Sequence, residues 1–307
     1  MIPSLRGSLR TAAGLAALLL AAVPATAAGA DAAATTMAAA HVTHAPPVLN
    51  ITITPQGFTV PGPNPRPSGL TTFRVETAET TGMWLALIRP KADATWEQVV
   101  KSFDDLASPD AQVRLQGLRD QYRYTDFAGG VSVFAGRPVT FTEKLDPGRY
   151  YLVGTSMQGG AHLETLDVTD ERAPAVPPRI DGIIYVTEVA GRPRLILPPR
   201  LPATGTFLVR NDSSLPQEFI FVRVPSDATY QTVQAYFDAV RGNTALPPNP
   251  LLETTAGMLA ISPGRTALIH ADFTPGRYSI LSFLMEPENG IKQAYLGLHR
   301  EFTFSAS

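Results

Sequence analysis

Hydrophobic and polar positions along this chain alternate mostly with a period of two. Leu49-Asn50-Ile51-Thr52-Ile53-Thr54 alternates cleanly, and Ile183-Ile184-Tyr185-Val186-Thr187 is short and β-branched, so each predicts a strand. Residues 83–88 and 219–224 are apolar runs of buried-strand length. Pro147-Gly148 and Pro275-Gly276 suit the central positions of a type II turn, because proline presets φ and glycine accepts a positive φ. A strand is expected after each, at 150–153 and 278–283. The period changes twice. Trp96, Val99, Val100, Phe103 and Leu106 recur at helical spacing, as do Tyr230, Val233, Phe237 and Val240, with Asp93 and Asp227 ahead of them as expected N-caps. Residues 109–122 suggest a further helix.

These features come in two sets. Displaced by 134 positions, Thr72-Phe73-Arg74-Val75 falls on Thr206-Phe207-Leu208-Val209, and Asp93-Ala94-Thr95-Trp96 on Asp227-Ala228-Thr229-Tyr230. Displaced by 128, Gly136-Arg137 falls on Gly264-Arg265, and Pro147-Gly148-Arg149-Tyr150 on Pro275-Gly276-Arg277-Tyr278. Matches in unchanged order at two nearly constant offsets read as a domain duplication, since solenoid repeats are far shorter. The first copy is expected at 48–170 and the second at 180–305, with a proline-rich linker at 171–179. Strands bounded by Gly and Pro, with one helix among them, predict a mainly β sandwich carrying a helical insertion in each copy.

The beginning of the chain reads differently. Arg6 and Arg10 precede an apolar run of residues 11–23, and Ala25-Thr26-Ala27 offers small residues to a signal peptidase. Residues 1–28 are therefore expected to be a signal peptide, 29–47 a disordered Ala/Thr-rich leader, and the mature chain secreted or extracytoplasmic, with no membrane span. Composition then removes functions. The chain of 307 residues has no cysteine, which excludes disulfides and thiolate chemistry. With 25 Lys and Arg against 27 Asp and Glu and no basic run, a nucleic-acid partner is not expected.

Two stretches carry a more specific signal. Phe207-Leu208-Val209-Arg210-Asn211 followed by Gln217-Glu218-Phe219, and Pro275-Gly276-Arg277-Tyr278 followed by Leu296-Gly297-Leu298-His299, resemble the second half of a cupredoxin domain. The likeness extends over both copies and implies two tandem cupredoxin-like Greek-key β-sandwiches. The family holds copper between two histidines, a cysteine and a methionine. On the resemblance, the first histidine falls on Gln217 in copy two and on Met83 in copy one, and the cysteine on Ser282 and Gly154. The second histidine falls near Gln293, and the methionine on Leu298, with His162 near the matching place in copy one. Two carboxamides, a hydroxyl and an alkyl group are a poor copper donor set. Gln217, Ser282 and Gln293 are expected to converge and satisfy one another by hydrogen bonding.

Other chemistry finds little support. The chain has five histidines, His41, His44, His162, His270 and His299. His270 is expected to face outward from its strand. The nucleophile elbow Gly-x-Ser-x-Gly does not occur. The sequence thus predicts a non-enzymatic binding or structural protein without cofactor, whose partner is an envelope protein, a polysaccharide or a small molecule. The alternatives are a copper or zinc carrier using His41, His44 and His162, and an enzyme with a site between the copies.

Overall fold

The computed structural model describes residues 44–156 and 160–306; the expected signal peptide, most of the leader and His41 lie outside them. In the first half, β1 (Val48–Thr52), β2 (Arg66–Glu76) and β3 (Met83–Pro90) precede two helices, α1 (Trp96–Leu106) and α2 (Ala111–Tyr124). Then follow β4 (Thr125–Val133), β5 (Val139–Leu145), β6 (Gly148–Ser156) and β7 (Ala161–Arg172). The second half opens with β8 (Gly182–Val189), β9 (Arg192–Ile196), β10 (Arg200–Pro202), β11 (Thr204–Asp212) and β12 (Gln217–Arg223). It continues with α3 (Tyr230–Gly242), β13 (Glu253–Ile261), β14 (Thr266–Asp272), β15 (Gly276–Leu281), a 3-10 helix (Gln293–Leu296) and β16 (His299–Ser305). The chain is mainly β with helical insertions, as its periodicity predicts. No described helix is long and apolar enough to cross a membrane.

The strands form two layers. One runs β1-β2-β5-β14-β11-β8-β9, the other β10-β16-β15-β12-β13-β4-β3-β6-β7. β2 serves both: Arg66 to Ser68 pair with β7, and Gly69 to Val75 with β5. The switch falls on Gly69, whose φ is +132°, and where a Cβ would lie 2.6 Å from the Ala173 carbonyl oxygen. Between the layers lie buried aromatics, Phe73 stacked on Phe141 at 4.6 Å and Phe273 on Phe304 at 4.1 Å. Burying one such ring contributes about 1.5–3 kcal/mol.

The two halves join through both layers. β4 pairs antiparallel with β13, Val131 opposite Met258, and β5 pairs antiparallel with β14, Phe141 opposite Ile269. The repeated Gly-Arg pairs sit at this seam. Arg265 reaches Asp126 and Glu143, both at 2.8 Å, while Arg137 reaches Glu253 at 2.8 Å. Asp126 also binds Arg89 at 2.9 Å. Each motif arginine thus grips an acid in the other half.

The structure corrects several local expectations. The helices are capped by Thr95 and Thr229, not by Asp93 and Asp227. The Thr95 hydroxyl accepts the Gln98 amide while the Gln98 side chain accepts the Thr95 amide, and this reciprocal pairing places the cap two residues beyond the aspartate. Thr95→Ala should cost about 1 kcal/mol in urea unfolding, with Asp93→Ala near zero. Gly148 and Gly276 do take positive φ, but at +131° and +154°, wider than a type II turn, because each already begins a strand. The corner is held instead by the tyrosine that follows: the Tyr150 hydroxyl accepts from the Asp146 amide at 3.0 Å, and Tyr278 donates to the Thr274 carbonyl at 2.9 Å. Residues 44–47, read as the end of a disordered leader, lie on the sheet. Pro46 is buried, the Pro47 carbonyl accepts from Thr72, and the His44 carbonyl accepts from Val176 in the proline-rich segment.

Candidate functional site

The second half is where the expected residues gather. Gln217 opens β12, Ser282 follows β15, Gln293 opens the 3-10 helix and Leu298 precedes β16. The loop between Ser282 and Gln293 folds back on itself: the Gln293 amide donates to the Leu284 carbonyl and the Ala294 amide to the Ser282 carbonyl, both at 2.7 Å. The Ser282 amide in turn donates to the Leu298 carbonyl at 3.3 Å. All four side chains are buried.

Within this corner, Gln217 Nε2 donates to Gln293 Oε1 at 2.8 Å and to Ser213 Oγ at 3.1 Å. Ser213 Oγ donates to Asn211 Oδ1 at 2.7 Å, and Asn211 Nδ2 donates to the carbonyls of Leu215 and Ile261. A chain of amides and hydroxyls therefore closes the end of the sandwich. Ser282 is tied to the same segment through its backbone, but its Oγ has no hydrogen-bond partner, and neither has Gln217 Oε1. Gln217 and Gln293 meet directly, and Ser282 stands outside their bond.

The expected positions in the first half are arranged differently. Gly154 lies opposite His162 across β6 and β7, and Met83 is two residues along β3 from Leu85, which faces Gly154. Paired residues and residues two apart share one face of a sheet, so all three line the same inner corner. That corner is apolar. A Cβ on Gly154 would come within 2.7 Å of Phe58 and 2.8 Å of Ile53, so those side chains already fill the space. The His162 ring is half-buried, with Nε2 at 2.8 Å from the Pro55 carbonyl.

Three features escaped the sequence. Glu218 follows Gln217, and alternation along β12 points it away from the core into solvent. It is nonetheless fully buried, because α2 of the first half lies over that face: Tyr122 donates to the Met285 carbonyl and Arg119 to the Pro287 carbonyl, both at 2.8 Å. The Glu218 carboxylate accepts the Phe283 amide through Oε1, while Oε2 has no partner. Burial pushes its pKa up to about 7, against the smaller pulls of the Phe283 amide, the Lys292 charge and the Leu284 amide. The second feature is His299, buried between Glu301 Oε1 and Gln234 Oε1, each at 3.0 Å, with Tyr230 stacked on it at 4.4 Å. Every polar edge of that ring is engaged within the fold. The third is the proline-lined corner at the start of β2, where Arg66 is buried.

The copper implied by the resemblance does not fit these residues. Its three best donors would be a carboxamide locked to another carboxamide, a hydroxyl and a second carboxamide, with no imidazole or thiolate. Among the described residues no three His, Cys, Asp or Glu side chains converge. The other expected histidines are dispersed: His44 and His270 are exposed, and His270 Nδ1 lies 3.1 Å from the Thr206 hydroxyl.

No protein-family model and no curated protein matches this chain. Among solved structures it is similar to auracyanin B, with 13% identity over 42% of this chain and 93% of that one, at a TM-score of 0.25. It is also similar to a multicopper oxidase from Pediococcus acidilactici, with 9% identity over 86% of this chain and 59% of the oxidase, at a TM-score of 0.25. An auracyanin from Roseiflexus castenholzii gives 15% identity over 41% of this chain and 99% of that one, at 0.24. Scores this low leave the fold resting on the strand pairing itself.

Proposed function

We propose that the chain is a secreted, non-enzymatic binding or structural protein built from two tandem cupredoxin-like units in which copper binding has been lost. The observation that carries this reading is the buried Gln217–Gln293 hydrogen bond of 2.8 Å at the corner where the resemblance puts two of the copper ligands. The amide pair is anchored through Ser213 and Asn211, and opening it for an ion would strand buried donors at about 1–3 kcal/mol each. The duplication is supported by the pairing pattern, because β1, β3, β4, β5, β6 and β7 stand to β2 much as β8, β12, β13, β14, β15 and β16 stand to β10 and β11.

Titration of Cu(II) into the purified protein tests the reading. Calorimetry and visible absorbance should give no stoichiometric uptake and no charge-transfer band. Tight 1:1 uptake that Gln217→Leu abolishes would overturn it. Uptake that follows His44 or His162 would favour the metal-carrier alternative.

A further inference from the structure

Arg66 presents a problem that the fold leaves unsolved. It begins β2 and is 7% exposed, yet it takes part in no ion pair among the described residues. Arginine is seldom buried to this degree without an acid beside it. Its Nη2 donates to the carbonyls of Pro61 at 3.3 Å and Pro63 at 3.0 Å, which spread the charge without neutralising it. Its Nε is buried and has no partner at all. Burial alone moves its pKa, downward, with no acid to oppose it. Asp167, one residue along from the β7 partner of Arg66, is engaged by Arg149 at 2.6 Å and 3.0 Å.

Arg66 lines a cleft of about 420 Å³ bounded by the start of β1, residues 61–63 and the first part of β2. Its walls are Pro47, Val48, Leu49, Leu70 and the prolines at 61, 63 and 67, with Asn50 and Thr71 as the other polar side chains. That volume lies in the range of small-molecule sites, about 300–1,000 Å³. The cleft is also preformed. Asn64 fixes the 61–65 loop to β7, its Oδ1 accepting the Asp167 amide at 2.7 Å and its Nδ2 donating to the Thr165 carbonyl at 3.1 Å. Prolines contribute no N–H, so no backbone donor of theirs competes for an anion.

We propose that this cleft binds a small organic monocarboxylate, its carboxylate against the guanidinium of Arg66 and its apolar body along Leu70, Val48 and the prolines. The single charge follows from the lining, which holds one cation; a phosphate dianion would keep half its charge unmatched. The apolar body follows from the walls. The site is remote from the Gln217 corner and does not depend on what became of copper there.

Benzoate, hexanoate and inorganic phosphate, each titrated into the full chain by calorimetry, test the assignment. One carboxylate should bind 1:1 and raise the melting temperature, with phosphate at least tenfold weaker. Arg66→Gln should abolish the heat. If that variant misfolds, Val48→Trp fills the cleft from a half-exposed rim position, leaves Arg66 in place and should weaken binding at least tenfold. Absence of carboxylate binding at millimolar concentration overturns the proposal, as does binding that survives Val48→Trp or phosphate binding tighter than both carboxylates.

Discussion

Glu218→Gln should gain stability on the parent protein as the pH rises from about 4 to about 8, starting below it near pH 4. The sign follows from linkage. In the unfolded chain this carboxyl titrates near 4.5, and in the folded protein burial holds it at about 7. Below 4.5 both states carry the proton, so pH has no leverage. Between 4.5 and 7 the folded state alone keeps it, and stability falls as pH rises, by about 1.4 kcal/mol per unit at most. Above 7 the loss is complete, at about 3 kcal/mol. Glutamine keeps an acceptor for the Phe283 amide and carries no titrating proton, so its curve lacks this slope. The amide also brings an N–H₂ to the place where Oε2 has no partner, an expected penalty of about 1–3 kcal/mol at every pH. The test is therefore the difference between variant and parent in urea unfolding, which should move by about 3 kcal/mol in the variant's favour from pH 4 to pH 8. Parallel curves would mean that water reaches this carboxylate.

The seam supplies the second large effect. Side chains of Arg265, Asp126 and Glu143 are 16%, 14% and 1% exposed, so Arg265→Met withdraws the counter-charge from two acids that solvent barely reaches. Burial works to raise the Asp126 pKa, yet Arg265 and Arg89 together hold it below the ordinary carboxylate range. Breaking a buried pair from one side costs about 3–5 kcal/mol, because the other side stays charged in a poor solvent. Arg137→Met cuts the matching clasp with Glu253, where the side chains are 39% and 45% exposed, and should cost at most about 1 kcal/mol, less in high salt. Denaturant unfolding of the two variants at pH 7 measures the asymmetry. Equal losses would show that the two clasps share one environment.

What the sequence disclosed and what it withheld divide along the range of the interaction. Helix spacing from Trp96 and Tyr230, the Pro-Gly corners and the strand alternation are local, and the fold follows them. The recurrence of Gly-Arg was visible, but its use was not, since Arg265 meets Glu143 more than a hundred residues away. Glu218 stands next to Gln217 on β12, so strand alternation sets it on the face away from the sandwich interior, which in an isolated sheet would meet solvent. It is buried because α2, a helix of the other half, covers that face through Arg119 and Tyr122. Arg66 gave no sign either: its burial comes from the fixed 61–65 loop, and its lack of an acidic partner is a property of the assembled corner. Gln217 and Gln293 could be set together only through the family resemblance, being 76 positions apart.

Antiparallel pairing at both β4–β13 and β5–β14 has a consequence for any fragment of this protein. Cutting the chain between the halves would uncover two open strand margins on each piece, every one lined with idle amides and carbonyls. Such margins recruit whatever strand comes near, and another copy of the same fragment carries a nearly matching pair. The covalent tether therefore works as a chaperone in cis: by presenting each half with its proper neighbour at high local concentration, it keeps the molecule from seeking that neighbour in a second chain.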